Sequence, residues 1–154
     1  MDETDPDDAW DATLADRDAM AEGYRERGWD VVTVTASATG IIERPPVGIT
    51  YILPGEEATA IEEVGTDTIT DSSVYAATAD ETLYLVTELR ATDEERMILL
   101  AGAIPLADLE EIADDARDAG EFRTRFIGDD GAAAGAFIHE NPDPFLTPLS
   151  AGDE

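Results

Sequence analysis

The chain has 154 residues, which sets one domain as the expectation, long enough to fold without covalent staples. It carries 37 acidic and nine basic residues, a formal charge of −28 and no Cys, and every basic residue is Arg. Disulfides and thiolate metal sites are thereby excluded, and so acidic a surface argues against phosphate backbones and anionic lipids as partners.

At ordinary ionic strength a charge of this size repels itself and destabilises the folded chain. At molar salt the Debye length falls to ~3 Å, and the repulsion nearly vanishes. With Lys absent throughout, the composition reads as adaptation to a salt-accumulating cytoplasm. A disordered acidic tail is the rival reading. The 43% hydrophobic content, with acids spread along periodic segments, counts against it. The opening residues Met1 to Asp5 have neither a basic region nor an apolar run, so they do not read as a signal peptide. The longest uncharged apolar stretch, Met97 to Ala107, is far short of the ~20 residues of a membrane span. A soluble, cytoplasmic chain is expected.

Met1 to Asp8 reads as a flexible acidic arm. Ala9 to Arg27 follows as a helix, with Trp10, Leu14, Met20 and Tyr24 on or near one stripe and Gly28 as its stop. Val31 to Thr35 is β-branched throughout and reads as a strand. Thr39 to Pro46 is expected as a loop ending at Pro45-Pro46, before a second strand over Val47 to Leu53. A short helix is predicted over Glu56 to Val64, and Gly65 to Asp71 as a linker whose residues 68–70 have strand-edge character. Ser73 to Thr78, Leu83 to Leu89 and Arg96 to Ile104 are strands joined by short polar turns, an antiparallel meander with the last strand central. Pro105 is placed at the first position of a helix running to Ala119. Phe122 to Ile127 and Ala133 to His139 form a hairpin around Gly128-Asp129-Asp130-Gly131. Residues 140–154 read as an extended, Pro-rich tail. The fold class is α+β: a single antiparallel sheet with helices packed on it, in the order αββαβββαββ. Its first eight elements follow the order of roadblock and profilin-like domains, an analogy of fold that carries no function.

The chain has no phosphate-binding Gly loop, nucleophile elbow, His-Glu-x-x-His or EF-hand loop. No cofactor is implied. His139 is its one imidazole. It reads either as a general base oriented by Glu140 or, more plainly, as a strand-end histidine bonded to the backbone or an acid. Arg123 and Arg125 alternate with Phe122, Thr124 and Phe126, so both leave one face of a strand. They suit bidentate binding of a carboxylate or phosphate, and the plainer reading is internal pairing with nearby acids. The acid pairs Glu56-Glu57, Glu62-Glu63 and Asp114-Asp115 diverge on their helices, and Asp129-Asp130 belongs to a turn, so no metal site is assigned. Trp10 and Trp29 bracket the first helix and read as packing or self-association groups.

Several stretches together carry a resemblance. They are the segments 9–16 and 24–32, Tyr51-Ile52-Leu53-Pro54-Gly55, Val74-Tyr75, Leu85-Val86-Thr87-Glu88-Leu89 and His139-Glu140-Asn141-Pro142-Asp143-Pro144-Phe145. The chain resembles an uncharacterised haloarchaeal domain-of-unknown-function family of about this length. The resemblance implies no activity, cofactor or site, and it agrees with the salt-adapted reading.

Two functional expectations follow. The first is a non-enzymatic interaction or regulatory module that forms a small homo-oligomer or meets another protein, suggested by the absent catalytic chemistry and the apolar strand Met97 to Ile104. The second is a binder of, or enzyme for, a small anionic molecule, with Arg123, Arg125 and His139 around one sheet-edge pocket.

Overall fold

A computed structural model describes residues 6–146. Helix α1 spans Pro6–Glu26 and is followed by strands β1 (Asp30–Thr35), β2 (Ala38–Ile42) and β3 (Gly48–Leu53). Helix α2 (Gly55–Val64) leads to β4 (Asp71–Ala79), β5 (Thr82–Ala91) and β6 (Arg96–Pro105). Helix α3 (Leu106–Ala119) then precedes β7 (Phe122–Gly128) and β8 (Ala133–His139). The class is α+β as read from the pattern, but the strands form two sheets of four, ordered β1-β6-β5-β4 and β2-β3-β7-β8.

Neither sheet is purely antiparallel: β1 runs parallel to β6, and β3 runs parallel to β7. Both parallel pairs join strands far apart in sequence, as such pairs must, since a parallel partner needs a long crossover. The expected single sheet and the order analogy drawn from it therefore give way.

The division begins at one corner. The Ala36 N–H still donates to the Ala101 carbonyl of β6 at 2.9 Å, whereas the next N–H, that of Ser37, donates to the Ile52 carbonyl of β3 at 2.8 Å. The chain changes sheet within one residue there. Residues 38–42 then form β2 where a loop was expected, pairing with β3 from Ala38↔Ile52 to Ile42↔Gly48. The expected linker contains a 3₁₀ turn, Thr66–Thr68. Pro105 ends β6 and caps α3 rather than opening it, and the Leu106 N–H that follows donates to the Glu81 carbonyl at 3.0 Å.

Strand alternation sets the layers. Leu83, Leu85 and Leu89 of β5 and Ile98, Leu100 and Ile104 of β6 face inward, against Ile49, Tyr51 and Leu53 of β3 and Phe122 and Phe126 of β7. Helix α2 adds Ala58, Ile61 and Val64 to this central core, and α3 adds Leu109, Ile112, Ala113 and Ala116. The opposite face of the first sheet is covered by α1: Ala21, Met20 and Tyr24 pack on Val31, Val86, Met97 and Leu99, with Trp29 alongside. Trp29 stands edge-on to Tyr24, and Trp10 packs against Tyr84, so both tryptophans are packing groups. The strand Met97 to Ile104 lies between β1 and β5 with its residues from Met97 to Ala101 fully buried, so it offers no surface for self-association.

Residues 6–8 of the expected arm belong to α1, and residues 1–5 of the arm and 147–154 of the expected tail lie outside the described residues. In the expected tail, residues 143–146 turn helical. Phe145 stacks on Phe122 at 4.0 Å between ring centroids, and Leu146 is buried beside it. The sealing of an apolar core end overrides the extended preference of the flanking prolines.

Candidate functional site

Strand β8 alternates about its sheet, so Phe137 and His139 point into the protein while Ala136 and Ile138 point out. His139 is 4% exposed. Its Nε2 lies 2.8 Å from Thr124 Oγ1 on β7, and its Nδ1 lies 3.0 Å from Ser72 Oγ on β4. Phe137 and Phe145 stand edge-on to its ring, each at 4.9 Å. Burial disfavours the imidazolium and pushes the pKa down to about 4, so the ring is neutral near neutral pH. One nitrogen donates and the other accepts, and both are occupied.

The partners of His139 are Ser72 and Thr124, not Glu140, which is exposed. A Ser–His contact raises the question of a nucleophile and its base. A base works best with a pKa near the operating pH. A ring held near 4, with its second nitrogen bonded to a neutral Thr, is a weak one. The arrangement acts as a cross-brace, tying the last strand of one sheet to the last strand of the other.

Above this brace a cleft of about 440 Å³ opens between β4 and β8. Its lining mixes Ser72, Ser73 and Asn141 with Val74, Phe137 and Phe145. Asp71 and Glu140 contribute carboxylates, and the lining includes no Arg. Asp71 is held below the usual carboxylate range by its hydrogen bonds from Arg90. Such a cleft does not suit an anion.

Arg123 and Arg125 stand elsewhere. They leave the outer face of β7, opposite to the face that carries Thr124 and the His139 contact. Arg125 Nε donates to Thr50 Oγ1 at 3.1 Å. Among the described residues, the ion pairs formed by Arg involve Arg17, Arg90, Arg96 and Arg117, and neither Arg123 nor Arg125 has a carboxylate within 4.0 Å. The expected internal pairing is thus not made. The three candidate residues do not share a pocket, because Arg123 and Arg125 occupy one side of the sheet and His139 the other.

The outer face around the two Arg residues is unusual for this chain. Its outward positions are Ala38, Gly40 and Ile42 of β2, Gly48, Thr50 and Ile52 of β3, Ile127 of β7, and Ala136 and Ile138 of β8. None is acidic, in a chain with 37 acids. The buried residues of α2 and α3 belong to the central core, and α1 packs on the other sheet, so the apolar sides of all three helices are used elsewhere. Ile138 is 43% exposed there, whereas Ile42, Gly48 and Thr50 are buried, so the exposed part of the face lies toward β7 and β8.

A third cluster escaped sequence reasoning. Glu88, 2% exposed, accepts hydrogen bonds from Arg90 and from the Tyr24 hydroxyl of α1. Arg90 also reaches Asp71 at 2.7 Å and Ser73 at 2.8 Å. The i, i+2 spacing of Glu88 and Arg90 on a strand was the available signal. Ser72 and Thr124 had none, because nothing local marks a hydroxyl that meets a distant imidazole. The acid pairs remain apart: no group of three or more metal-ligating side chains converges among the described residues. Asp130 Oδ1 accepts from the Ala132 N–H at 2.9 Å, which fixes the β7–β8 turn. No helix among the described residues is long and apolar enough to cross a membrane.

No curated protein and no solved structure matches the chain. A family of unknown function (DUF7529) matches residues 2–147, nearly the whole length, and the chain belongs to that family.

Proposed function

We propose that this chain is a non-enzymatic interaction module of a salt-rich cytoplasm, which self-associates through the outer face of the β2-β3-β7-β8 sheet. The acid-free character of that face carries the reading. Burying a carboxylate in an interface costs several kcal/mol unless it is paired. The strand positions of a second copy bring no carboxylate, Glu121 and Glu140 lying only at the rim, whereas the helical surfaces, rich in Asp and Glu, would. Arg is at home in interfaces, and its stem covers apolar neighbours while the guanidinium reaches partner carbonyls or hydroxyls. In molar salt the repulsion between the two Arg pairs acts over only ~3 Å.

The scale fits a modest dimer. Four strands at ~4.8 Å spacing and about six residues at ~3.3 Å give a face of roughly 400 Å². Two copies bury roughly 800 Å² in total, below the ~1,200 Å² of standard specific interfaces, so the dimer is a weak, concentration-dependent one. Amide hydrogen exchange in multimolar KCl tests this placement. Protection of β3 and β7 should rise with protein concentration in the wild type. The double variant Arg123→Glu plus Arg125→Glu should show no such rise while keeping its fold. A concentration-dependent rise that survives the double substitution would put the interface elsewhere and refute the assignment.

A second reading rests on the same two unpaired guanidinium groups: Arg123 and Arg125, without His139, bind a carboxylate or phosphate on the open face. Arg123→Ala plus Arg125→Ala should then abolish the thermal shift given by such a ligand. An unchanged ligand response removes this reading.

A further inference from the structure

The geometry points to the cleft between β4 and β8 as a strand-acceptor site, which takes an extended, uncharged or basic peptide segment of a partner protein. This cleft adjoins the dimer face at Ile138 of β8 but does not depend on dimerisation.

Both walls of the cleft are sheet edges. Strand β4 ends one sheet and β8 ends the other. No strand pairing joins them among the described residues, and the polar link between them is the side-chain contact from Ser72 to His139. An edge strand presents a row of unpaired N–H and C=O groups. Half of the β8 edge is already covered: the Ala136 N–H donates to Thr66 Oγ1 at 3.3 Å, and Thr66 crowds Gly135. From Phe137 to Asn141 no such cover is present among the described residues.

The β4 edge is protected only at its start, where Asp71 carries a charge and its Oδ1 accepts the Ser72 N–H at 3.0 Å. Proteins blunt exposed edges with charges, prolines, bulges or short length. β4 is nine residues long, and its residues 72–79 carry neither charge nor Pro in a chain that is 30% charged. Its pairing with β5 shows no register shift, and Tyr75 on it is 49% exposed. An edge of this kind is an aggregation hazard unless a partner strand covers it.

Ser72 and His139 both turn inward, so their contact runs along the floor. Through Ser72 Oγ and His139 Nδ1 the two Cα atoms stand at most ~9 Å apart at that point, slightly under two inter-strand spacings, so a strand entering there pairs chiefly with one of the two edges. Main-chain groups at residues 71–74 and 137–141 would hold the incoming backbone, and Val74, Phe137 and Phe145 would receive alternate side chains. Glu140 selects against an acidic segment, since the lining holds no Arg and Arg90 behind it is already engaged with Asp71.

The test titrates the blocked hexapeptide Ac-Thr-Val-Lys-Val-Thr-Val-NH2 into the isotope-labelled full chain in multimolar KCl, following backbone amides by NMR. The same peptide with alternate amides N-methylated, which removes strand donors and keeps the side chains, is the control. The inference predicts saturable shifts confined to residues 71–74, 137–141 and their pairing neighbours. It predicts binding at least about tenfold weaker for the N-methylated peptide. Absence of a saturable shift at millimolar peptide overturns it, as does equal binding of the N-methylated form. So would β4 amides already protected in the peptide-free protein and unmoved by peptide, because a second copy would then occupy the edge.

Discussion

Replacing Arg90 by Ala probes the most costly electrostatic arrangement in the protein. The Glu88 side chain is 3% exposed and the Arg90 side chain 14% exposed, so the carboxylate has almost no water of its own. With Arg90 gone, Glu88 retains the Tyr24 hydroxyl at 3.1 Å as its described side-chain partner. Removing one member of a buried ion pair typically costs about 3–5 kcal/mol, because the other charge remains buried and uncompensated. The exposed pair of Arg96 with Asp30 gives the contrast. It spans 3.7 Å with side chains 39% and 72% exposed. Arg96→Ala should cost at most about 1 kcal/mol, and less in molar salt. Urea unfolding in multimolar KCl, followed by circular dichroism, measures both. Glu88→Gln in the Arg90→Ala background should recover a large part of the loss, since it removes the stranded charge. If Arg90→Ala costs no more than Arg96→Ala, or Glu88→Gln recovers nothing, Glu88 is not a buried charge that depends on Arg90.

His139 makes stability depend on pH with a definite sign. Its folded pKa of about 4 lies below the ordinary 6.5, so the unfolded chain takes the proton first. The contribution is present above pH ~6.5, and about 3 kcal/mol of it is lost as pH falls from there to ~4. The stability difference between the wild type and His139→Gln, in which the surface carboxylates largely cancel, should therefore shrink or reverse over that range. A difference that stays constant with pH would contradict the buried neutral ring. Phe145→Ala should cost about 3–5 kcal/mol in the same unfolding assay, because it empties a fully buried site stacked on Phe122. A cost under about 1 kcal/mol would mean that residues 143–146 do not dock on the core.

Local signals carried most of the elements. The meander 71–105, helix α3 and the β7–β8 hairpin all follow from alternation, helical spacing and turn residues. What alternation cannot express is partnership at long range. Nothing in Val31 to Thr35 marks β6 as a parallel neighbour, and nothing in residues 38–42 announces that the chain is changing sheets at Ala36 and Ser37. The same limit applies to the site. The common face of Arg123 and Arg125 was legible, because it depends only on a period of two. The opposite placement of His139 was written in its register opposite Phe122, a residue that faces the core. Reading it required knowing that β7 and β8 share one sheet with both of these faces in use. The contacts to Ser72 and Thr124 come from strands 67 and 15 residues away.

The most direct measurement is the molar mass of the wild-type chain by light scattering in multimolar KCl, across a tenfold range of concentration. The account predicts approach to twice the 16.5 kDa chain mass as concentration rises, and return to the single-chain mass for Arg123→Glu plus Arg125→Glu. A wild type that stays at 16.5 kDa throughout would contradict it.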